Sequence, residues 1–308
     1  MNAPFRMERY LTDGGIETDL IFHGGFELPL FAAIDLMRNE EGRTGLEAYF
    51  RKYLEVAADK QVGFVLESPT WRASSDWAEP LGYTRDELAQ YNRDAIAMMR
   101  KLREEYVERI PHILISGCIG PRGDGYDPGK EMSVDEARSY HTFQAAIFAD
   151  EGVDMITAIT MTNTPEARGL ALAAHDAGLP CTISFTVETD GCLPTGMSLK
   201  DAIEAVDADG TAAPIQYMIN CAHPSHFQPV LEEGSAWLER LGGLRTNASK
   251  LSHQELNDRE DLDEGDPVEL GDRHTELGRS VPNLRVVGGC CGTDERHIAQ
   301  MADGWARS

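Results

Sequence analysis

Two cysteines stand side by side in Val286-Val287-Gly288-Gly289-Cys290-Cys291-Gly292-Thr293, directly after a short apolar run. A third ends another apolar run in Ile219-Asn220-Cys221-Ala222-His223-Pro224. Sulfur placed in this way offers metal-ligand chemistry. Adjacent cysteines are poor disulfide partners, because the bridge needs Cα atoms about 4.4–6.8 Å apart and a staggered torsion. The spacing also fails the structural-zinc patterns, which set paired cysteines roughly two to four residues apart on a knuckle. Three thiolates with one open position remain, the arrangement of a catalytic zinc and not of a closed structural one. From spacing alone a second reading stands beside it, three unrelated buried thiols. Cys118, Cys181 and Cys192 read as ordinary thiols, and Cys181, inside the apolar run Leu179–Phe185, as a small core residue.

Residues so far apart in sequence can meet only if regular elements carry them together. Short apolar runs alternate with longer amphipathic stretches along the chain. Strands are expected at Tyr10–Thr12, Phe64–Leu66, His112–Ser116, Asp154–Ile159, Cys181–Thr186, Ile215–Asn220, Leu244–Asn247 and Leu284–Val287. Helical patterns fill Leu46–Lys60, Arg85–Arg109, Val134–Glu151, Pro165–Ala177 and Leu199–Val206. Asn163-Thr164-Pro165-Glu166 supplies an N-cap side chain and a first-turn proline, and Gly178 with Pro180 stops that helix. Eight strands separated by helices predict a single (β/α)8 TIM barrel over residues 1–308, whose strand C-termini crowd one catalytic face. Cys221 then follows the sixth strand and Cys290 and Cys291 the eighth. Gly288, Gly289 and Gly292 would let the backbone turn sharply around the paired sulfurs. A polar stretch at about 250–279 reads as a poorly ordered excursion ahead of the last strand.

Composition narrows the function. A balance of 28 Lys+Arg against 52 Asp+Glu, net −24, disfavours a nucleic-acid partner. Met1-Asn2-Ala3-Pro4-Phe5-Arg6 lacks the apolar core of a secretory signal, and no stretch approaches about 18 consecutive apolar residues. No membrane partner is therefore expected. Six irregularly spaced cysteines read as reduced thiols, which gives a cytoplasmic expectation. No Gly-x-Gly-x-x-Gly or P-loop follows an early strand, which argues against a nucleotide-binding open sheet.

The segments Asp13-Gly14-Gly15-Ile16-Glu17-Thr18-Asp19-Leu20, Ser116-Gly117-Cys118-Ile119-Gly120-Pro121, Ser184-Phe185-Thr186, Asn220-Cys221-Ala222-His223-Pro224 and Gly288–Thr293 fall in order along the chain. Together they resemble the homocysteine S-methyltransferase family, nearly end to end, with the paired-cysteine segment the most specific. The resemblance implies a (β/α)8 barrel with Cys221, Cys290 and Cys291 as ligands of Zn2+. It also implies methyl transfer from a sulfonium donor, S-methylmethionine or S-adenosylmethionine, to homocysteine, giving methionine as in methionine biosynthesis. Betaine is a further donor to consider. A free thiol has a pKa of about 8.5, so ligation to the metal would supply the thiolate nucleophile. The chain has no room for folate or cobalamin modules, so its partners would be a small thiol acceptor and a free methyl donor.

By the same resemblance, backbone N–H groups of Gly14 and Gly15 would hold the acceptor carboxylate, with Asp13 contributing polar orientation. Asn220 would orient Cys221 or touch substrate, and Thr160 would line the acceptor site. The family's glutamate after the fourth strand falls at Ile159 here. Its ammonium partner is thus replaced, and Glu67, in Leu66-Glu67-Ser68-Pro69-Thr70-Trp71, is the expected substitute. Trp71 and Trp77 would face a sulfonium methyl. Ile159 opens the alternative of a different small thiol. A non-catalytic zinc-binding barrel subunit is the other alternative, with His223 as fourth ligand; otherwise His223 has a supporting role.

Overall fold

In the computed structural model, residues 4–208, 210–231 and 235–305 are described; Met1, Asn2 and Ala3 of the N-terminal segment lie outside them. The eight strands are β1 (Tyr10–Leu11), β2 (Gly63–Glu67), β3 (Ile113–Ile119), β4 (Met155–Met161), β5 (Cys181–Thr186), β6 (Gln216–Asn220), β7 (Leu241–Thr246) and β8 (Val286–Gly289). They pair in sequence order, all parallel, and Tyr10 against Val286 and Leu11 against Val287 close the barrel. Helices α1 (Ile16–Phe22), α2 (Glu40–Lys60), α3 (Arg85–Tyr106), α4 (Val134–Asp150), α5 (Thr164–Asp176), α6 (Leu199–Asp207), α7 (Pro224–Phe227), α8 (His253–Asn257), α9 (Pro267–Ser280) and α10 (Glu295–Trp305) lie between and after them. None is long and apolar enough to cross a membrane among the described residues.

The alternation of each strand explains how the barrel makes a site. Tyr10, Val65, Leu114, Met155, Met218 and Val286 form a separate apolar cluster that plugs one end of the barrel. Two residues further along their strands come Thr12, Glu67, Ser116, Thr157, Asn220 and Gly288, one polar layer nearer the C-terminal mouth. Ser116 and Thr157 hydroxyls meet there at 2.7 Å. A dry floor below and hydrogen-bonding groups above place the chemistry at the mouth. The outer core, with Phe50, Tyr53, Ile96, Phe148, Leu170 and Ile298 fully buried, fixes the helices to the barrel.

Local signals in the sequence act as expected at several ends. Asn163 caps α5 by accepting from the Glu166 N–H at 2.9 Å, with Pro165 in the first turn. Gly178 takes φ +74° beyond that helix. Two expectations need correction. The polar stretch 250–279 does lie ahead of the last strand, but it is not poorly ordered, because α8 and most of α9 occupy it. Leu270, Gly271, His274 and Leu277 of α9 are buried, which holds the helix despite its polar composition. Gly288 and Gly289 do not turn the chain but are the last residues of β8.

Candidate metal centre

The three sulfurs that the sequence singles out converge. Their Sγ atoms lie within 4.8 Å of one another at the barrel mouth. Cys221 Sγ is 3.7 Å from Cys291 Sγ and 2.7 Å from Cys290 Sγ, and all six cysteines are free of disulfides. Bonds of about 2.3 Å in a tetrahedral zinc site give a sulfur–sulfur edge of about 3.8 Å, which the Cys221–Cys291 pair matches. The Cys221–Cys290 edge is shorter than such a site requires. Hydrogen bonds from Cys221 and Cys290 hold the Cys291 thiol well below its ordinary range. Hydrogen bonding to Cys290 and Cys291, with burial, pushes the Cys221 thiol well up. The donor set is that of a soft, thiophilic divalent ion, and the three residues fit it.

Backbone strain and close approach create this convergence. Cys221 sits at φ +57°, in the left-handed region that a Cβ disfavours. Its N–H donates to the Arg245 carbonyl at 3.0 Å, and its carbonyl accepts from His253 Nε2 at 2.6 Å. Thr160 is strained in the same way, at φ +65°, where β4 slips register against β5. Asn220 Oδ1 accepts from the Thr160 N–H at 2.9 Å and from Ser184 Oγ at 2.6 Å. On the eighth strand, Cys290 N–H donates to Thr246 at 2.8 Å, and Gly292 turns the chain at φ +78°. The Gly292 N–H donates to Thr18 Oγ1 at 3.1 Å, which ties the cysteine loop to α1. A Cβ on Gly289 would collide with Thr293 Oγ1 and crowd the Gly14 Cα, so close packing is the reason for that glycine.

Arg245 was missed by the sequence reading, and it reassigns two expected substrate contacts. From β7 its guanidinium donates to Asp13 Oδ1 at 2.7 Å, to Glu67 Oε2, to Gly14 O at 3.1 Å and to Gly289 O at 3.0 Å. Asp13 Oδ2 accepts from Tyr49 at 2.8 Å. All of these side chains are buried. Burial raises the carboxyl pKa of both Asp13 and Glu67, and Arg245 opposes it. Glu67, the expected substitute ammonium partner, lines the pocket, and in this structure its charge is answered by Arg245. The nest expected at Gly14-Gly15 is corrected at Gly15 too, because that N–H donates to Thr293 O at 3.0 Å.

A pocket of about 60 Å3 opens directly on the sulfurs. Asp13, Gly14, Gly15, Glu67, Thr160, Cys221, Cys290 and Cys291 all line it, together with Trp71, whereas Asn220, Trp77 and His223 do not reach its wall. Ile159 lies in the same wall. Glu17 and Tyr126 join them, neither singled out from sequence. Burial, against the helping N–H of its own backbone, pushes the Glu17 carboxyl up to about 8. The Tyr126 hydroxyl lies 3.1 Å from Cys221 Sγ and 3.8 Å from Cys291 Sγ. Its ring packs on His253 with centroids 4.2 Å apart.

Outside this pocket a larger cavity of about 830 Å3 shares Thr18, Phe31, Trp71, Tyr126 and Cys291 with it. Asp124, Asp127, Glu188, Asp261 and Asp263 give the cavity an acidic lining, and the loop between α8 and α9 supplies part of it. The expectation that Trp71 and Trp77 face a bound cation is corrected. The chain's own Arg72 stacks on both, with its Cζ 4.8 Å and 4.7 Å from the ring centroids. His223 is not a fourth ligand in this arrangement. Its Nδ1 accepts from the Ser225 N–H at 3.2 Å and caps α7, and burial pushes its pKa down to about 4.

A family model described as homocysteine S-methyltransferase matches residues 10–304. Homocysteine S-methyltransferase 2 of Arabidopsis thaliana is 22% identical over 312 residues, 91% of this chain and 88% of that protein. A selenocysteine Se-methyltransferase of Brassica oleracea var. italica is 22% identical over 245 residues, 72% of this chain and 68% of that one. The oxidized form of the homocysteine methyltransferase MmuM from Escherichia coli matches with a TM-score of 0.77 at 22% identity, over 100% of both chains. Its metallated form matches with a TM-score of 0.74 at 21% identity, over 98% of this chain and 97% of that one. The structural likeness is one of fold; the family match spans the strands that carry all three sulfurs. The chain belongs to the homocysteine S-methyltransferase family and is a methyltransferase.

Proposed function

We propose that this protein transfers a methyl group from a small sulfonium donor to the sulfur of homocysteine, giving methionine, with Zn2+ held by Cys221, Cys290 and Cys291. The observation that carries the reading is the meeting of three sulfurs at the wall of a pocket. Zinc bound there would supply Lewis acidity that lets the acceptor thiol act as a thiolate near neutral pH. Transfer then forms one S–CH3 bond and breaks another. The thiolate loses its negative charge and the sulfonium its positive charge, so two neutral thioethers result.

The chain's own residues do the positioning. Cys221, Cys290 and Cys291 fix where the acceptor sulfur enters. Thr160 and Ile159 form the wall beside it. The large acidic cavity outside favours a cationic donor by its field, with Phe31, Trp71 and Tyr126 at the junction to exclude water. S-Methylmethionine and S-adenosylmethionine both meet that description.

Protein purified under reducing conditions should carry about one zinc per chain by elemental analysis. Cys221→Ser, Cys290→Ser and Cys291→Ser should each lose the metal and the formation of methionine from homocysteine with either sulfonium. Zinc-loaded protein that methylates no thiol with any sulfonium or with betaine would end this reading. Ile159 in the pocket wall favours a second one, in which the acceptor is another small thiol or selenol. Competition among homocysteine, cysteine and selenocysteine separates the two.

A further inference from the structure

Three carboxylates line the pocket that opens on the sulfurs, those of Asp13, Glu17 and Glu67. Two are already answered. Arg245 binds both Asp13 and Glu67, and Tyr49 takes the second oxygen of Asp13. Glu17 differs from both. Among the described residues no side chain donates to its carboxylate and no cation pairs with it; its own backbone N–H is the donor that bears on it. The cation whose field reaches it, Arg72, makes its ion pair with Asp124 at 3.6 Å and stays stacked between two tryptophans. A carboxylate withdrawn from water costs free energy unless a cation or donors compensate it. Glu17 is only half-buried, so water reaches it in the open pocket, and a cation that displaces this water would supply the charge partner the protein itself does not.

The location says which cation that is. Glu17 lines the inner pocket, with Cys221, Cys290 and Cys291, and is absent from the lining of the outer cavity. The outer cavity has carboxylates of its own: Asp124 pairs with Arg72 and Asp261 with Arg259, while Asp127, Glu188 and Asp263 line it without an arginine partner. A positively charged donor is therefore provided for outside, and Glu17 is left to the molecule whose sulfur reaches the metal ligands. Ile159 gives the same wall no charge.

Resting on the thiol-methyltransferase reading, we propose that Glu17 binds the ammonium group of an amino-acid thiol acceptor and sets the preference for acceptors that carry one. Glu17 holds the α-ammonium while the thiol sulfur of the same molecule points at the three cysteines. An acceptor with the same sulfur and carboxylate but no amino group loses this contact. Specificity of this kind comes from leaving the Glu17 carboxylate without a charge partner, and cut off from water, when the wrong ligand binds.

The test is calorimetric titration of the zinc-loaded protein with homocysteine and with γ-mercaptobutyrate, its analogue without the amino group. The native protein should bind homocysteine about 10- to 100-fold more tightly, the range of a charge-assisted contact in a pocket. Glu17→Gln should erase that preference by weakening homocysteine alone, and Glu17→Asp, which keeps the charge, should retain part of it. Zinc content and near-ultraviolet dichroism show that the variants are folded and loaded. A preference that survives in Glu17→Gln overturns the assignment, as does equal weakening of both thiols. Loss of S-methylmethionine binding with the acceptor preference intact would give the carboxylate to the donor instead. If neither thiol binds the native zinc protein, the methyltransferase reading of the acceptor site fails first, and this assignment with it.

Discussion

Asn220 and Thr160 clasp each other across the barrel mouth. Asn220 Nδ2 donates to Thr160 Oγ1 at 2.8 Å while its Oδ1 accepts from the Thr160 N–H at 2.9 Å. Thr160 and Cys221, the residue after Asn220, are both non-glycine residues at positive φ. One amide thus braces two strained turns, one of which carries a proposed zinc ligand. Asn220→Ala should lower zinc affinity about 10- to 100-fold, as loss of a group that orients a ligand does. Asn220→Asp keeps the acceptor and loses the Nδ2 donor, so it should fall in between. Competition with a chromophoric chelator measures both; unchanged affinity in the alanine variant would remove Asn220 from the machinery of the site.

Arg245 offers a sharper stability test, because one guanidinium serves two buried carboxylates. Arg245→Met leaves Asp13 and Glu67 unpaired and should destabilise the fold by about 3–5 kcal/mol. Glu67→Gln should cost less, since Arg245 keeps Asp13 and the carbonyls of Gly14 and Gly289. Urea unfolding with an unchanged denaturant slope reads the two values directly. The order of the two effects is the decisive outcome.

The contrast between Arg245 and the cysteines shows what local pattern carries. Apolar runs marked all eight strands because each is buried on its outer face, and glycine beside cysteine marked the loop that carries Cys290 and Cys291. Arg245 sits in Leu241–Thr246 as a lone charge in a strand, which by itself suggests an exposed edge. Its partners come from β2 and from the loop after β1, 178 and 232 residues away, and no local period encodes them. Glu17 hid for a related reason. In Ile16–Phe22 it reads as an ordinary acidic residue in a first helical turn, and only the closed barrel turns it toward Cys290. Tyr126 lies in Gly123-Asp124-Gly125-Tyr126-Asp127-Pro128, which reads as a turn and nothing more. The end of β3 was underestimated as well, since Gly117 and Cys118 look like the start of a loop, yet Cys118 pairs with Thr157 in the sheet.

Glycine 15 converts this geometry into a steric prediction. A Cβ there would come within 2.5 Å of both the Cys290 carbonyl oxygen and Thr18 Oγ1. The carbonyl belongs to the backbone of Cys290, a proposed zinc ligand, so relief means moving that residue. Gly15→Ala should weaken zinc binding about tenfold or more, on the scale of displaced ligand geometry, while the barrel stays folded. Gly123→Ala is the control, because a Cβ at that position meets nothing within 4 Å and its φ is ordinary. Equal zinc affinity in the two variants would mean that the first loop does not fix the eighth.

His274 in α9 ties acid stability to one buried side chain. The imidazole is fully buried, with Nδ1 donating to the Leu270 carbonyl at 2.8 Å. Burial pushes its pKa down to about 4, from the ordinary value near 6.5. Between those values the unfolded chain binds a proton that the native protein refuses. Stability from this group is therefore complete above about pH 6.5 and is lost as pH falls toward about 4. At about 1.4 kcal/mol per pKa unit the window carries about 3 kcal/mol. His274→Leu keeps a similar volume and removes the titration, so its stability should fall less steeply between pH 6.5 and pH 4 than that of the native protein. Urea midpoints at several pH values across this range measure the slope. Parallel curves for the two proteins would show that His274 takes up its proton as readily folded as unfolded.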